Sequence, residues 1–511
     1  MEYAALFGLC ALFSGVVVRF SIALAGRLGA MDRPGGHKQH AVSTPFVGGF
    51  GLISVVVVAF ALGDRLPGGS TSVALLAGSV CMFVTGLADD IWHLGFKPRL
   101  VVQAAVALAM VFVGGVELAS LGELLPGVAV DLGWFAVPIT VFATIGLINA
   151  VNMIDGIDGL SGSVSLVSLA FIAVVAHGAD NPAYLLVAVA LMGGIVGFLF
   201  FNLRYPGNAR ARVFLGDNGS MLLGFVFAWL LIALSQGGDA AAMTPVTALW
   251  LFALPLMDTV GVMLRRIWLG KSPFRADRHH LHHLLVRAGF RVSDVVAVAV
   301  LMQFVFALIG VTCLLLRVPE YLAFWLFLAI FAVYFLLIAR PWRLVPWLQW
   351  LNRRLGLPSV QVRGIFVGYV RRERCPQLLG LIAQGLSGHY EYQLSVFETD
   401  RESAQGRKVY CMVHVPNIGD EHLIGAVRRD MLRLRRRLAR KHGLDIRLLL
   451  ARAEQSGLQS AFDTAAASGR RIGESERRQL QSTLIYSIER GRHSVRSDHG
   501  GFELSLPPTC R

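Results

Sequence analysis

Five aspartates are the residues best placed to do chemistry. Asp89 and Asp90 are adjacent, Asp155 and Asp158 lie three apart in Asp155-Gly156-Ile157-Asp158-Gly159, and Asp217 follows Gly216. Carboxylates crowded at the edge of an apolar segment repel one another and are costly to desolvate, so such a group calls for a cation, a proton or a cationic substrate. Oxygen-rich sets of this kind suit Mg²⁺ or Mn²⁺. Helix-end polarity facing water would account for Asp89-Asp90 alone, but not for three acidic sites.

Cations accompany the acids: Lys38 and His40 in the 32–49 segment, Lys97 and Arg99 after the aspartate pair, and a dense group from Arg265 to His283. In Asp277-Arg278-His279-His280-Leu281-His282-His283 the imidazoles could hold zinc, copper or nickel, or the segment could be a solvated loop. The carboxylates and arginines favour phosphate, because guanidinium and imidazole groups hold a diphosphate and stabilise charge on a leaving nucleotide. Histidine can also move a proton near neutral pH. Asn149 and Asn152, three apart, share a helix face just before Asp155, and their amides can meet a metal, a sugar hydroxyl or a base edge. Gly156 and Gly159 permit close backbone approach there, although a bare turn would explain them equally.

The elements that must position these residues are membrane helices. With 55% hydrophobic and 16% charged residues, the 511-residue chain is too apolar for a soluble protein of its size. Apolar runs at 3–27, 46–63, 70–88, 100–115, 134–151, 160–178, 183–202, 214–235, 246–265, 293–316 and 321–339 predict about eleven transmembrane helices. One alternating set of connections holds fifteen Lys and Arg, and the other holds only Arg65 and Arg317. Basic loops stay in the cytosol, so the N-terminus is expected in the periplasm, the C-terminus in the cytosol, and all five aspartates at the cytosolic surface. Residues before Arg19 lack a basic n-region, so a retained first span is expected rather than a cleaved signal. Arg19, His177 and Asp258 read as inter-helix pairing or snorkelling, with Asp258 also a candidate to support the site.

Residues 1–340 carry 19 Lys and Arg against 17 Asp and Glu, whereas 341–511 carry 28 against 16. Runs at 365–370, 392–397, 409–415 and 446–450 read as strands, predicting a basic, soluble, cytosolic α/β domain over 341–511 with an unstructured tail from about 495. Within it, Glu421–His442 reads as a basic amphipathic helix, whose arginines face solvent, anionic headgroups or, less in keeping with the rest, nucleic acid. The six cysteines show neither a CxxC pair nor zinc-site spacing, and read as reduced thiols.

Five pieces in order resemble the polyprenyl-phosphate N-acetylhexosamine-1-phosphate transferases: Asp32-Arg33-Pro34…Lys38…His40…Thr44-Pro45…Gly48-Gly49, Gly86…Asp89-Asp90…Lys97, Asn149…Asn152…Asp155-Gly156…Asp158-Gly159-Leu160, Phe214-Leu215-Gly216-Asp217…Gly219-Ser220, and Ser272-Pro273-Phe274…Asp277-Arg278…His280-Leu281-His282-His283. Leu281 interrupts the histidines, which resembles the GlcNAc-1-phosphate branch rather than the peptidoglycan branch. The resemblance implies Asp217 and Asn152 as metal ligands with Asp90 close by, and Asp89 as base for the lipid phosphate. It implies Lys38, Asn202, Asp155 and Asp158 around the uridine and sugar, and Arg265, His280, His282 and His283 on the diphosphate, with His40, Lys97, Asn149 and Arg278 as further substrate contacts.

The implied reaction transfers N-acetylhexosamine 1-phosphate, expected to be GlcNAc 1-phosphate, from a UDP-sugar to undecaprenyl phosphate in the bacterial inner membrane. UMP is released and a lipid-linked surface glycan, such as the lipopolysaccharide O-antigen, is begun. Expected partners are the UDP-N-acetylhexosamine, undecaprenyl phosphate and membrane lipids. A homodimer and a glycan-assembly protein docking on 341–511 stay open, and nucleic acid is not expected. The resemblance ends near residue 340. An ion transporter would place acids at mid-membrane and on both sides, and an inactive scaffold would not need a full ligand set.

Overall fold

The computed structural model describes residues 2–32, 44–61, 69–206, 208, 210–238, 241–272, 279–355, 360–370, 381–382, 393–403, 406–418, 421–442, 446–454, 484–489 and 495–496. It divides into two compact units: Met1–Pro34, Val42–Leu284 and Val292–Leu344 form the first, and Val345–Arg511 with Gly35–Ala41 and Leu285–Arg291 form the second.

The first unit is helical: α1 (Glu2–Leu28), α2 (Gly48–Ala61), α3 (Ser70–Trp92), α4 (Phe96–Phe112), α5 (Ala136–Ile154), α6 (Leu160–Gly178), α7 (Pro182–Asn202), α8 (Gly216–Ser235), α9 (Pro245–Leu251), α10 (Ala253–Trp268), α11 (Leu281–Arg287, which straddles the unit division), α12 (Val292–Leu315) and α13 (Glu320–Ala339). Each of the eleven apolar runs is helical. Among the described residues, eight helices are long and apolar enough to cross a membrane, or nine if the bent pair α9–α10 is one span. The protein is therefore a polytopic membrane protein.

Two runs fall short of the expected length, because α2 has 14 residues and α4 has 17. A third bends by 86° at Phe252. The bend frees backbone groups that Gln303 of α12 satisfies: its Oε1 accepts from Leu254 N at 2.9 Å and its Nε2 donates to the Leu251 carbonyl at 2.8 Å. Irregular backbone at membrane depth persists where a neighbouring helix supplies such partners. Lys97 and Arg99, expected in a loop, instead form the first turn of α4, where Pro98 costs little because the first N–H groups have no intrahelical partner.

α8 is apolar all round and almost wholly buried, as expected of a helix at the centre of a bundle. It packs on α3, α5 and α2, with Phe225, Phe227 and Trp229 fully buried. These contacts gather the last turn of α3, the last turn of α5 and the first turn of α8 at one end of the bundle, and the acids lie there. After α1 the short strands β1 (Met31–Asp32) and β2 (Thr44–Pro45) pair antiparallel, and between α4 and α5 a hairpin pairs β3 (Ser120–Leu125) with β4 (Val128–Asp131). Glu320 pins it, accepting from Glu123 N at 2.8 Å with one oxygen and from Val246 N at 3.1 Å with the other.

In the second unit, α14 (Pro341–Arg354) begins in the first unit and runs on. A six-stranded antiparallel sheet follows, in the order β10-β9-β6-β7-β5-β8, built from β5 (Val360–Val370), β6 (Gln393–Ser403), β7 (Gly406–Ile418), β8 (Ile446–Glu454), β9 (Leu484–Glu489) and β10 (Val495–Arg496). The helix α15 (Glu421–His442) packs against this sheet and buries Met431, Leu434 and Leu438, while Arg433, Arg435, Arg436, Arg437 and Arg440 are exposed. The expected tail lies almost wholly outside the described residues.

Candidate active site

The aspartates come together through hydrogen bonds between segments distant in sequence. Arg99, on the first turn of α4, donates from one guanidinium nitrogen to Asp89 Oδ2 and lies 3.5 Å from Asp217 Oδ2. Asn152, in the last turn of α5, has Nδ2 2.5 Å from Asp217 Oδ1 and 3.0 Å from Ser220 Oγ. Four helices thus meet at Asp217. Asp89 is buried and Asp217 half-buried, so one cation is shared by two carboxylates in a site only partly open to water.

Asp90 is engaged differently. Its Oδ1 accepts from Asp217 N at 3.0 Å, and its Oδ2 accepts from Asn218 N at 3.1 Å and from Asn218 Nδ2 at 2.6 Å. It therefore caps the N-terminus of α8, where free N–H groups and the helix dipole favour an anion. Gly216, with φ +78°, makes the turn that brings those N–H groups round to it. The arrangement fixes the backbone that carries Asp217.

On the turn between α5 and α6, Asp155 accepts from Ser161 Oγ at 2.5 Å, and Asp158 pairs with Arg204 at 2.7 Å and accepts from Ala211 N at 3.1 Å. Asn202 is buried with its amide committed: Oδ1 accepts from Gly159 N at 2.7 Å and Nδ2 donates to the Val213 carbonyl at 2.8 Å. Asn149 Nδ2 donates to Gln103 Oε1 at 3.0 Å and to the Ile145 carbonyl at 2.8 Å. Both amides thus bond to the protein itself. Lys97 is exposed beside it, and Arg265 is buried in the last turn of α10. Lys38, His40 and Arg278 lie outside the described residues.

Burial raises the Asp155 carboxyl to about 7, with the charges of Asp217, Asp90 and Asp158 adding to the shift and the Ser161 hydrogen bond opposing it. Between the ordinary carboxylate range and pH 7 the folded protein therefore holds a proton that the unfolded chain has lost. Stability should fall as pH rises through that window and level off above it. Asp155→Asn is expected to flatten the dependence of the melting temperature on pH from 5 to 8, removing a drop of about 2–4 °C. A thermal-shift series in detergent checks this, and an unchanged slope would contradict it.

The histidine segment joins the same region. His282 is buried with its Nε2 against Gly156, where an added Cβ would also come within 3.0 Å of its Cε1, so the position directly after Asp155 suits glycine. Burial, with the neighbouring His283, lowers the His282 imidazole to about 3, so it is neutral at physiological pH. Among the described residues, neither of its ring nitrogens has a hydrogen-bond partner. A buried polar atom left unpaired costs free energy, so a neutral His282 stands ready for a ligand's hydrogen-bonding groups. His280 stacks on it at 5.7 Å with rings 10° from parallel, and Asp258 contacts His280.

Among the described residues, no three His, Cys, Asp or Glu side chains form a closed metal cage. The donors present for a metal are Asp217 and the Asn152 amide, with Asp90 held next to them at the N-terminus of α8. That set fits Mg²⁺, which usually takes one or two carboxylates and completes its shell with water and substrate phosphates.

Sequence reasoning named Arg99 only as a nearby cation, gave Ser220 of the Asp217 motif and the loop residue Arg204 no role of their own, and missed Ser161, Asn218 and Tyr334. Arg99 could have been singled out by its position ten residues after Asp89, but the others carry no signal in spacing.

The chain matches the family model described as glycosyl transferase family 4 over residues 72–235, which includes every aspartate of the cluster. It is 36% identical over 346 residues to an undecaprenyl-phosphate alpha-N-acetylglucosaminyl 1-phosphate transferase of Salmonella typhi, covering 67% of this chain and 93% of that protein. It is likewise 36% identical over 350 residues to the Yersinia pestis protein of the same name, covering 68% and 94%. With the Haemophilus influenzae protein of that name it shares 37% identity over 335 residues, covering 65% and 92%.

Proposed function

We propose, for a chain that belongs to the polyprenyl-phosphate N-acetylhexosamine-1-phosphate transferases and is a membrane-bound glycosyl-1-phosphotransferase, that it moves GlcNAc 1-phosphate from UDP-GlcNAc to undecaprenyl phosphate. UMP is the second product, and the lipid-linked sugar begins a surface glycan such as the O-antigen. The observation that carries this reading is the Arg99 guanidinium between Asp89 and Asp217, with Asn152 on the other side of Asp217. Two carboxylates sharing one cation form a place for a divalent ion and two phosphates.

In this reading the site faces the cytosol of a bacterial inner membrane, the N-terminus is periplasmic, and α2, α4 and the bent α9–α10 pair complete eleven crossings. The acceptor is too apolar to leave the bilayer and the nucleotide too polar to enter it, so the reaction needs residues at the boundary.

Asp89 takes the remaining proton of the lipid phosphate. A phosphate oxygen attacks the β-phosphorus of UDP-GlcNAc in line, a new P–O bond forms, the bond to the bridging oxygen breaks, and UMP leaves with that oxygen. Asp217 and Asn152 would hold Mg²⁺ or Mn²⁺, which when bound offsets charge on both phosphates. Asp90 keeps Asp217 in place through the N-terminus of α8. Arg99, Arg265 and the histidines stabilise charge on the diphosphate, and Asp155 and Asp158 line the nucleotide sugar.

The test is purified full-length protein with undecaprenyl phosphate, Mg²⁺ and, in separate reactions, UDP-GlcNAc, UDP-GalNAc, UDP-QuiNAc and UDP-FucNAc. UMP release dependent on the lipid is expected with UDP-GlcNAc, and none with any sugar would refute the reading. Stoichiometric UMP release without lipid would replace the single displacement by a phospho-aspartyl route.

A further inference from the structure

An aspartate in the middle of an apolar membrane helix is costly unless its partners come with it. Asp258 of α10 is 2% exposed, and three partners surround its carboxylate. Oδ2 lies 2.8 Å from His280 Nδ1, and Oδ1 accepts from Leu281 N at 2.9 Å and from the Tyr334 hydroxyl, on α13, at 2.6 Å. His280 and Tyr334 are buried as well.

We propose that Asp258 is a positioning residue that fixes the ring orientation and tautomer of His280, and that Tyr334 ties the pair to the last apolar helix. A carboxylate can only accept, so His280 Nδ1 carries the hydrogen and donates it. Nε2 is then left as an acceptor that can take a proton in transfer, and once protonated it donates to a phosphate oxygen while Asp258 stabilises the imidazolium. The Leu281 bond fixes the backbone next to the ring, so both the position and the rotation of the imidazole are set. Because His280 stacks on His282, the same carboxylate also orients the ring that lies against Gly156. The inference rests on the transferase reading and assigns to Asp258 a part in it that neither the family match nor the aspartate cluster supplies.

The experiment is a double-mutant cycle on the full-length protein, read as UMP release. In Asp258→Asn the amide oxygen can still accept from Leu281 and Tyr334, but the amide nitrogen faces Nδ1 and forces the hydrogen onto Nε2. Wrong-tautomer losses are on the order of 10²–10⁴-fold in kcat, and the KM for UDP-sugar should stay within about threefold. If Asp258 acts through His280, Asp258→Asn adds no further loss to His280→Ala beyond about twofold. Tyr334→Phe, which removes one hydrogen bond and almost no volume, should cost about 3–10-fold in the wild-type background and nothing in His280→Ala. That second cycle decides the matter if Asp258→Asn does not fold.

Losses that multiply in the His280→Ala background would overturn the inference, leaving Asp258 a structural residue. A wild-type protein that releases no UMP would overturn the transferase reading instead, and the inference with it.

Discussion

Asp217→Ala is expected to lower UMP release by at least about 10³-fold, and Asp89→Asn by a similar factor, because each removes a group that acts on the phosphates directly. Asp217 is where α8, α5, α4 and α3 meet: Asn152 holds one carboxylate oxygen, Arg99 approaches the other, and Asp90 accepts from its N–H. Without it, Arg99 collapses onto Asp89 alone, and the site loses both a cation ligand and the spacing between its charges. Folding should survive, because the deleted carboxylate sits among Asp89, Asp90 and Asp155 and its removal relieves repulsion. Size-exclusion profiles in detergent beside the UMP assay make the comparison. Near-normal turnover in both variants would overturn these roles.

Gly86→Ala is the second large effect, and the substituted residue touches no substrate. Gly86 faces α8 so closely that a Cβ there would lie 2.5 Å from the Asn218 Cα and closer still to the Asp217 carbonyl. Backbone atoms cannot rotate aside, so α3 and α8 would have to separate. Asp89 and Asp90 lie within one turn of Gly86 and Asp217 lies on the partner helix, so the separation falls on the reacting groups. A misplacement of about 1 Å costs on the order of 10²-fold in rate, which is the expected loss of turnover. Gly8→Ala is the control, because nothing lies within 4 Å of a Cβ at that position. Equal activity of the two variants would show that the contact between α3 and α8 does not set the site.

Much of this was legible in the sequence for a physical reason. A bilayer demands long apolar helices, so all eleven runs stood out and every one is helical. Acids are expensive at the ends of such runs, which exposed the cluster. Partners that meet across the bundle were not legible, since Asp90 and Asn218 are 128 residues apart and no local pattern marks the pairing. Pro255, which has no N–H to give the Leu251 carbonyl, marks the bend at Phe252 locally, but the partner that permits it, Gln303 on another helix, was not legible. Asp258 read as a helix-pairing acid or a support for the site, but its partners Leu281, His280 and Tyr334 carried no local signal.

We propose that Asp217 helps to hold a divalent ion whose coordination the nucleotide sugar completes. Mn²⁺ titrated into purified protein with UDP-GlcNAc, followed by the EPR signal of the free ion, measures this without turnover. Wild type is expected to withdraw about one Mn²⁺ per chain when the nucleotide sugar is present, and Asp217→Ala to withdraw none beyond what UDP-GlcNAc binds alone. Equal withdrawal by the two proteins would contradict the claim.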